Sequence, residues 1–274
     1  MNTINNFENS EELAREVRFH AINMVHRSNS SHIGSAFSIT DIISVLYQKH
    51  LNISPDLVNN PGRDIFILSK GHACVSLYAL LAIKGYFDID LLNTYSQDDS
   101  CLMAHISHKT NGVEFSTGSL GHGLPFAVGK ALASKMLSIK NKVYVIIGDG
   151  ECAEGSNWEA LLFAAHHKLD NLVVIVDNNN LQSFTTVEST MNIEPLEDKF
   201  KAFNCNVYKV DGHNHIELNL LFNKIKINSG LPNIIIAKTI KGKGVSFMEN
   251  TVKWHYSSPN QEELLNALNQ INNA

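Results

Sequence analysis

Lys142–Phe184 reads KVYVIIGDGECAEGSNWEALLFAAHHKLDNLVVIVDNNNLQSF. One apolar run, Val143 to Ile147, stops at Gly148-Asp149-Gly150-Glu151. A second, Leu172 to Val176, stops at Asp177-Asn178-Asn179-Asn180. Between them Trp158, Leu161, Leu162, Ala165 and Leu169 recur at helical spacing, so the unit reads strand, loop, helix, strand. Strands joined by such a crossover lie parallel, and ligands of parallel sheets sit off the carboxyl ends of the strands. One Asp and several Asn therefore converge on one edge, beside a glycine loop that opens a helix. Oxygen ligands there suit a hard cation, and backbone N–H groups with the helix dipole suit a phosphate.

The rest of the chain surrounds this edge. Towards the N-terminus, Glu8–His26 has helical periodicity with Ser10 as N-cap. A polar loop through Ser28–Ser35 follows, and Thr40 or Asp41 caps a helix over Ile42–His50. Asp64–Leu68 reads as a buried strand running through Ser69-Lys70-Gly71-His72 into the helix Ala73–Lys84. A short helix near Leu91–Tyr95 precedes loops as far as His122, and Leu124–Leu137 is a long helix rich in alanine. Towards the C-terminus, Pro195–Phe203 is a helix, Asn206–Val210 a strand, His215–Ile227 a helix and Asn233–Lys238 a strand. Thr239–Pro259 is a loop, and Gln261–Ile271 the last helix. Alternating strands and helices predict a three-layer α/β/α domain with a mainly parallel sheet, one domain over 1–274.

Composition narrows the function. A net charge of -5, from 22 basic and 27 acidic residues, leaves no electrostatic footprint for nucleic acid. The apolar runs are strand-length, far short of a membrane span, and the first residues lack the pattern of a signal peptide. The 4 cysteines are far apart and unpaired in pattern, which points to a reduced, cytoplasmic setting. The 13 histidines are more telling: His32, His72, His105, His122 and His255 stand beside glycines or in loops, away from helix faces.

A Gly-Asp-Gly alone is an ordinary turn. No GxGxxG follows the first strand, and no Lys-Ser/Thr follows the glycines, so dinucleotide and Walker loops are excluded. The pairing with the Asn run is the specific signal. From Gly150 to Asn178, 27 residues intervene, enough for one helix and one strand that return the chain to the same edge.

GDGE…VDNNN resembles the thiamine diphosphate motif, and the chain as a whole resembles the N-terminal half of a transketolase. SSHIGSAFS, LSKGHA, VEFSTGSLGHGL, GDGECAEGSNWEA, DNNNLQ and KTIKGKGVSFMEN…WH occur in the family's order. The resemblance implies that Asp149, Asn179 and the Leu181 carbonyl ligate Mg²⁺ or Ca²⁺ together with diphosphate oxygens. It implies that Gly150 brings its N–H to the diphosphate, and it includes Glu151 among the cofactor-binding residues. Gly118 and Leu120 would lie beneath the cofactor rings. His32, His72, His105 and His255 would bind sugar oxygens and relay protons, with His72 also reaching the diphosphate. Glu154 matches a carboxylate at the family's subunit contact.

The implied activity is ketol transfer from a ketose, or ketose phosphate, to an aldose. The family's pyrimidine-binding domain, with the glutamate that activates the cofactor, has no counterpart here. The expectation is therefore the N-terminal subunit of a split enzyme, working with a separate C-terminal pyrimidine-binding subunit in an α2β2 heterotetramer. A subunit of another thiamine diphosphate enzyme acting on a 2-oxo acid, and a non-catalytic scaffolding partner, are the alternatives. Some positions depart from the family pattern: Ser119 stands where proline is usual and His122 where glutamine is common. Tyr256 follows His255 where glycine is frequent, and Thr185-Thr186 replaces a glycine-containing turn.

Overall fold

The computed structural model describes residues 9–273 apart from 226 and 228. Five strands form one sheet: β1 (Ile65–Leu68), β2 (Val143–Gly148), β3 (Leu172–Asn178), β4 (Asn206–Asp211) and β5 (Asn233–Lys238). Their order is β1-β2-β3-β5-β4 and every pairing is parallel. Strands covered on both faces need no polar alternation, which is why the runs Val143–Ile147 and Leu172–Val176 are unbroken.

Helices cover both faces, as the three-layer reading expects. On one side pack α1 (Ser10–Ser28), α2 (Ile33–Val45), α3 (Cys74–Ile83), α8 (His215–Lys224) and α9 (Gln261–Asn272). Tyr144, Ile146, Val173, Ile175 and Ile235 meet them in one core. On the other side pack α4 (Gly123–Met136), α5 (Gly155–His166) and α7 (Leu196–Ala202). There Val143, Val145, Ile147, Val174, Val176 and Ile234 form a second core.

Most boundaries fall within two residues of the expected ones, with three informative differences. The first helix is capped by Asn9, whose side chain accepts from Glu12 N–H at 2.8 Å, and Ser10 lies inside it. The expected start at Glu8 is outside the described residues. The larger correction is α2. It begins at Ile33, runs through Thr40 and Asp41, and continues as a π-helical turn over Leu46–His50. Neither Thr40 nor Asp41 caps it. Ser38, Thr40 and Asp41 are buried and meet polar partners on neighbouring elements, so a segment that reads as a polar loop is a core helix. A further short helix, α6 (Val187–Thr190), follows the Asn run and is capped by Thr186.

Candidate active site

Strands β2 and β3 end level with each other: Gly148 pairs with Asp177, and Asp149 N–H donates to the Asp177 carbonyl at 3.2 Å. The loops leaving β1, β2, β3 and β5 enclose a cavity of ≈ 240 Å³ at this carboxyl edge. Its lining includes His32, His72, His105, His255, Gly118, Leu120, Asp149, Gly150, Glu151, Asn179 and Leu181. Residues far apart in the chain and singled out from sequence thus come together.

Glu154 does not join them. It is the exposed N-cap of α5, with its Cβ beside Gly121 and outside the cavity.

The four histidines form one cluster centred on His32. Its ring centroid lies 5.3 Å from His72, 5.5 Å from His105 and 4.9 Å from His255. Backbone contacts hold the loops in place. His32 N–H donates to the His255 carbonyl at 2.8 Å, and Ile106 N–H donates to the Gly71 carbonyl at 3.0 Å. Two glycines are needed for close approach. A Cβ at Gly118 would press on the His105 ring at 3.1 Å, and one at Gly71 would overlap the Thr117 carbonyl oxygen at 2.3 Å.

Electrostatics changes what these histidines can do. Burial first, then the charges of His105, Lys241 and Lys70, depress His32 to about 4. Burial and Lys241 depress His255 to about 3. Burial and Lys70 hold His72 well below its usual value, and burial alone lowers His105. All four shifts favour the neutral imidazole, which suits the rings to hydrogen bonding more than to holding a proton near neutrality.

Three residues to which the sequence reading gave no role sit at the base. Lys241 is 1 % exposed and bridges two loops, donating to the Gln182 carbonyl at 2.9 Å and the Leu181 carbonyl at 3.4 Å. Its ammonium also donates to His255 Nδ1 at 2.9 Å, which leaves the imidazole proton on Nε2. Burial and the neighbouring Lys70 push Lys241 down to about 8. Asp177, fully buried at the end of β3, accepts from Ser38 at 2.6 Å, from Asn179 Nδ2 at 3.0 Å, and from Lys70 and Thr239. Burial works to raise Asp177, but the Lys70 ammonium outweighs it and holds the carboxyl below its ordinary value.

Asp149 is in the opposite condition. Burial, and the Asp177 charge nearby, push it up to about 7. Its oxygens accept only backbone N–H groups, from Gly150 at 2.7 Å and Asn180 at 2.5 Å. A buried carboxyl with no direct ion pair among the described residues, beside Asn179 and Leu181 in the lining, fits a divalent ion. Among the described residues no three His, Cys, Asp or Glu side chains could hold a metal unaided.

Gly150 and Glu151, the other two residues of the Asp149 loop expected at the cofactor, both line the cavity and have partners within it. The Gly150 N–H is given to Asp149. The Glu151 carboxylate accepts from Ser69 at 2.5 Å, Gly121 N–H at 2.9 Å and Gly148 N–H at 3.1 Å. Glu151 clamps three loops of the lining together, and burial raises its carboxyl.

The sequence profile of the transketolase thiamine diphosphate-binding domain matches residues 9–271. The chain belongs to the transketolase family. It is 42% identical to one of the named subunits of the apulose-4-phosphate transketolase of Actinobacillus succinogenes, over 99% of both chains. It is 40% identical to the 6-deoxy-6-sulfo-D-fructose transketolase subunit SqwG of a Clostridium species, over 88% of both. Among solved structures, the transketolase of Campylobacter jejuni matches with a TM-score of 0.91 and 34% identity. That of Leishmania mexicana matches at 0.92 and 30%. This transketolase domain covers 43% and 42% of those two chains, so it spans about two-fifths of their length. No described helix is long and apolar enough to cross a membrane.

Proposed function

We propose that the chain is the diphosphate-binding subunit of a split transketolase, transferring a two-carbon ketol unit from a ketose donor to an aldose acceptor. The observation that carries this reading is the convergence of four histidine rings in one cavity with Asn179, Leu181 and the buried Asp149. Asp149, Asn179 and the Leu181 carbonyl would hold Mg²⁺ or Ca²⁺, with diphosphate oxygens completing the shell. Thiamine diphosphate, when bound, supplies the electron sink for carbon–carbon cleavage and formation.

The chain's own residues bind and orient. His255, with its proton kept on Nε2 by Lys241, donates to a sugar oxygen; His32, His72 and His105 hold further oxygens around it. Glu154, exposed at the start of α5, would meet a neighbouring subunit. The opposite wall would come from a pyrimidine-binding chain, two copies of each forming an α2β2 heterotetramer. Three relatives that match along most of their length are named as subunits, which supports a separate partner chain. Their names specify a phosphorylated ketose and a sulfonated one, so a ketose with an anionic end in specialised carbohydrate metabolism is the proposed donor class. Four free cysteines support a cytoplasmic setting.

The test is reconstitution. The purified chain alone should bind thiamine diphosphate weakly, in a Mg²⁺-dependent way by calorimetry, and transfer no ketol unit. Activity should appear on adding the pyrimidine-binding chain, and robust turnover by this chain alone refutes the proposal.

A further inference from the structure

Two large aromatic side chains stand in solvent at the mouth of the histidine cavity. Phe184 is 79% exposed and Tyr256 54%, and their ring centroids are 5.7 Å apart. Tyr256 also reaches the lining itself, 4.7 Å from the His255 ring and 5.9 Å from His32. Phe184 follows Gln182 and Ser183, which both line the cavity. Rings this exposed add little to the core, and apolar groups held in water beside a site mark a contact surface.

Both supports are braced. Leu181 bridges Thr186 in antiparallel fashion. Gln182 N–H donates to the Thr185 carbonyl at 2.9 Å, and Val187 N–H to the Asn180 carbonyl at 3.0 Å. Residues 181–186 are thus a tight hairpin with Ser183 and Phe184 at its tip. Its base is closed where Thr186 Oγ1 accepts from Ser189 N–H at 3.1 Å. Tyr256 ends the short turn Lys253–His255, which is pinned by buried Trp254 through a 3.0 Å bond from its indole N–H to the Phe247 carbonyl. Two separate loops, each held by its own hydrogen bonds, bring the rings together.

We propose that Phe184 and Tyr256 form an aromatic lip that reads the part of a sugar beyond its reacting carbons and sets which chain length is accepted. This rests on the ketol-transfer reading. Imidazoles, amides and an ammonium line the cavity, suiting the hydroxyl and carbonyl oxygens close to the reaction. The lip is apolar and presents aromatic faces, on which the C–H faces of distal sugar carbons pack. A two-carbon acceptor ends before reaching it, whereas a four- or five-carbon acceptor extends across it. Contacts made by one acceptor and not by the other are what discrimination requires.

The experiment uses the chain reconstituted with its pyrimidine-binding partner, with hydroxypyruvate as common donor. Its ketol unit joins the aldehyde carbon, its carboxylate leaves as carbon dioxide, and the new alkoxide takes up one proton. We would measure kcat/KM for glycolaldehyde, D-erythrose and D-ribose. Tyr256→Gly and Phe184→Ala are expected to leave glycolaldehyde within about twofold and shift the ribose-to-glycolaldehyde ratio by about tenfold or more. Tyr256→Phe should keep the wild-type ratio, because the ring and not the hydroxyl makes the contact. An equal change for all acceptors, or no change, overturns the lip while leaving ketol transfer standing. A wild-type pair that turns over none of the acceptors overturns ketol transfer, and the lip with it.

Discussion

Replacing Asp177 by Asn removes one charge from the base of the site and leaves the shape of the side chain intact. Asp177 is 0% exposed and its partner Lys70 2%, so solvent does little to screen either. After Asp177→Asn, Lys70 loses its ion-pair partner and keeps neutral acceptors, the Ser35 carbonyl at 3.2 Å, the Ser38 hydroxyl at 3.4 Å and the new amide oxygen. Breaking a buried pair from one side costs about 3–5 kcal/mol, because the remaining charge is uncompensated. Against a native stability of about 5–15 kcal/mol, the variant should stay folded but marginal. The metal end should change too. Asn179 Nδ2 loses its anionic acceptor, and Asp149, raised first by burial and then by the Asp177 charge, should become more acidic.

Urea denaturation of wild type, Asp177→Asn, Lys70→Met and the double variant would measure this. The double variant should be more stable than Asp177→Asn alone, with a coupling of about 2 kcal/mol or more, since it removes the orphaned charge as well. A single variant within about 1 kcal/mol of wild type, or a double variant whose loss equals the sum of the singles, would refute the assignment of Asp177 and Lys70 as a coupled buried pair.

Two further predictions concern the cavity. His32 and His255 are depressed in the folded chain, so the unfolded chain takes up protons first and their stabilising effect, complete above pH 6.5, is lost as pH falls towards about 4 and about 3. Halved for partial exposure, each should cost the wild type about 1 kcal/mol between pH 7 and pH 5. Asp149, displaced upward, works in the opposite sense in every variant, so the readout is the pH slope of urea stability relative to His32→Gln or His255→Gln; parallel slopes would show that these rings titrate normally. Separately, Gly71→Ala puts a Cβ 2.3 Å from the Thr117 carbonyl oxygen. Overpacking against backbone costs about 1–3 kcal/mol and should lower Tm by about 2–10 °C, and an unchanged Tm in a thermal scan would mean that the loop crossing yields freely.

The strands and the metal edge were legible because their signals are local. Apolar runs ended by GDG and by NNN, with room for one helix between them, fix where Asp149 and Asn179 meet. The start of α2 was not legible. Gly34 and Ser35 read as loop and Thr40 or Asp41 as cap, and only partners from distant elements make them helix interior. Asp177 looked like the residue that stops a strand, and its counter-ion stands 107 positions away. The lysines of LSKGHA and KTIKGKG were visible as cations in loops at the strand ends, the one available hint of positive charge at the site. The depression of His32 and His255 was not legible, because burial belongs to the fold, not to the sequence. His213 and His215, left without a role, both bond Asp41, at 2.7 and 3.1 Å.

All thirteen residues of α2 are buried. Counting from its N-cap, four of its polar positions, His32, Ser35, Ser38 and Asp41, recur every third residue, with Thr40 as an additional polar position between them. A step of three residues falls about 60° short of a full turn, so these side chains wind around the helix like a screw thread. His32 enters the cavity, Ser35 gives its carbonyl to Lys70, Ser38 bonds Asp177, and Asp41 takes Arg18 in two hydrogen bonds at 2.9 and 2.6 Å. A helix engaged on several sides in succession can neither roll nor slide without breaking several contacts at once. The placing of His32 in the cavity is therefore indexed from the far end of α2, where Arg18, His213 and His215 grip Asp41. The imidazole in the cavity and the guanidinium at the other end of the helix behave as parts of one rigid piece.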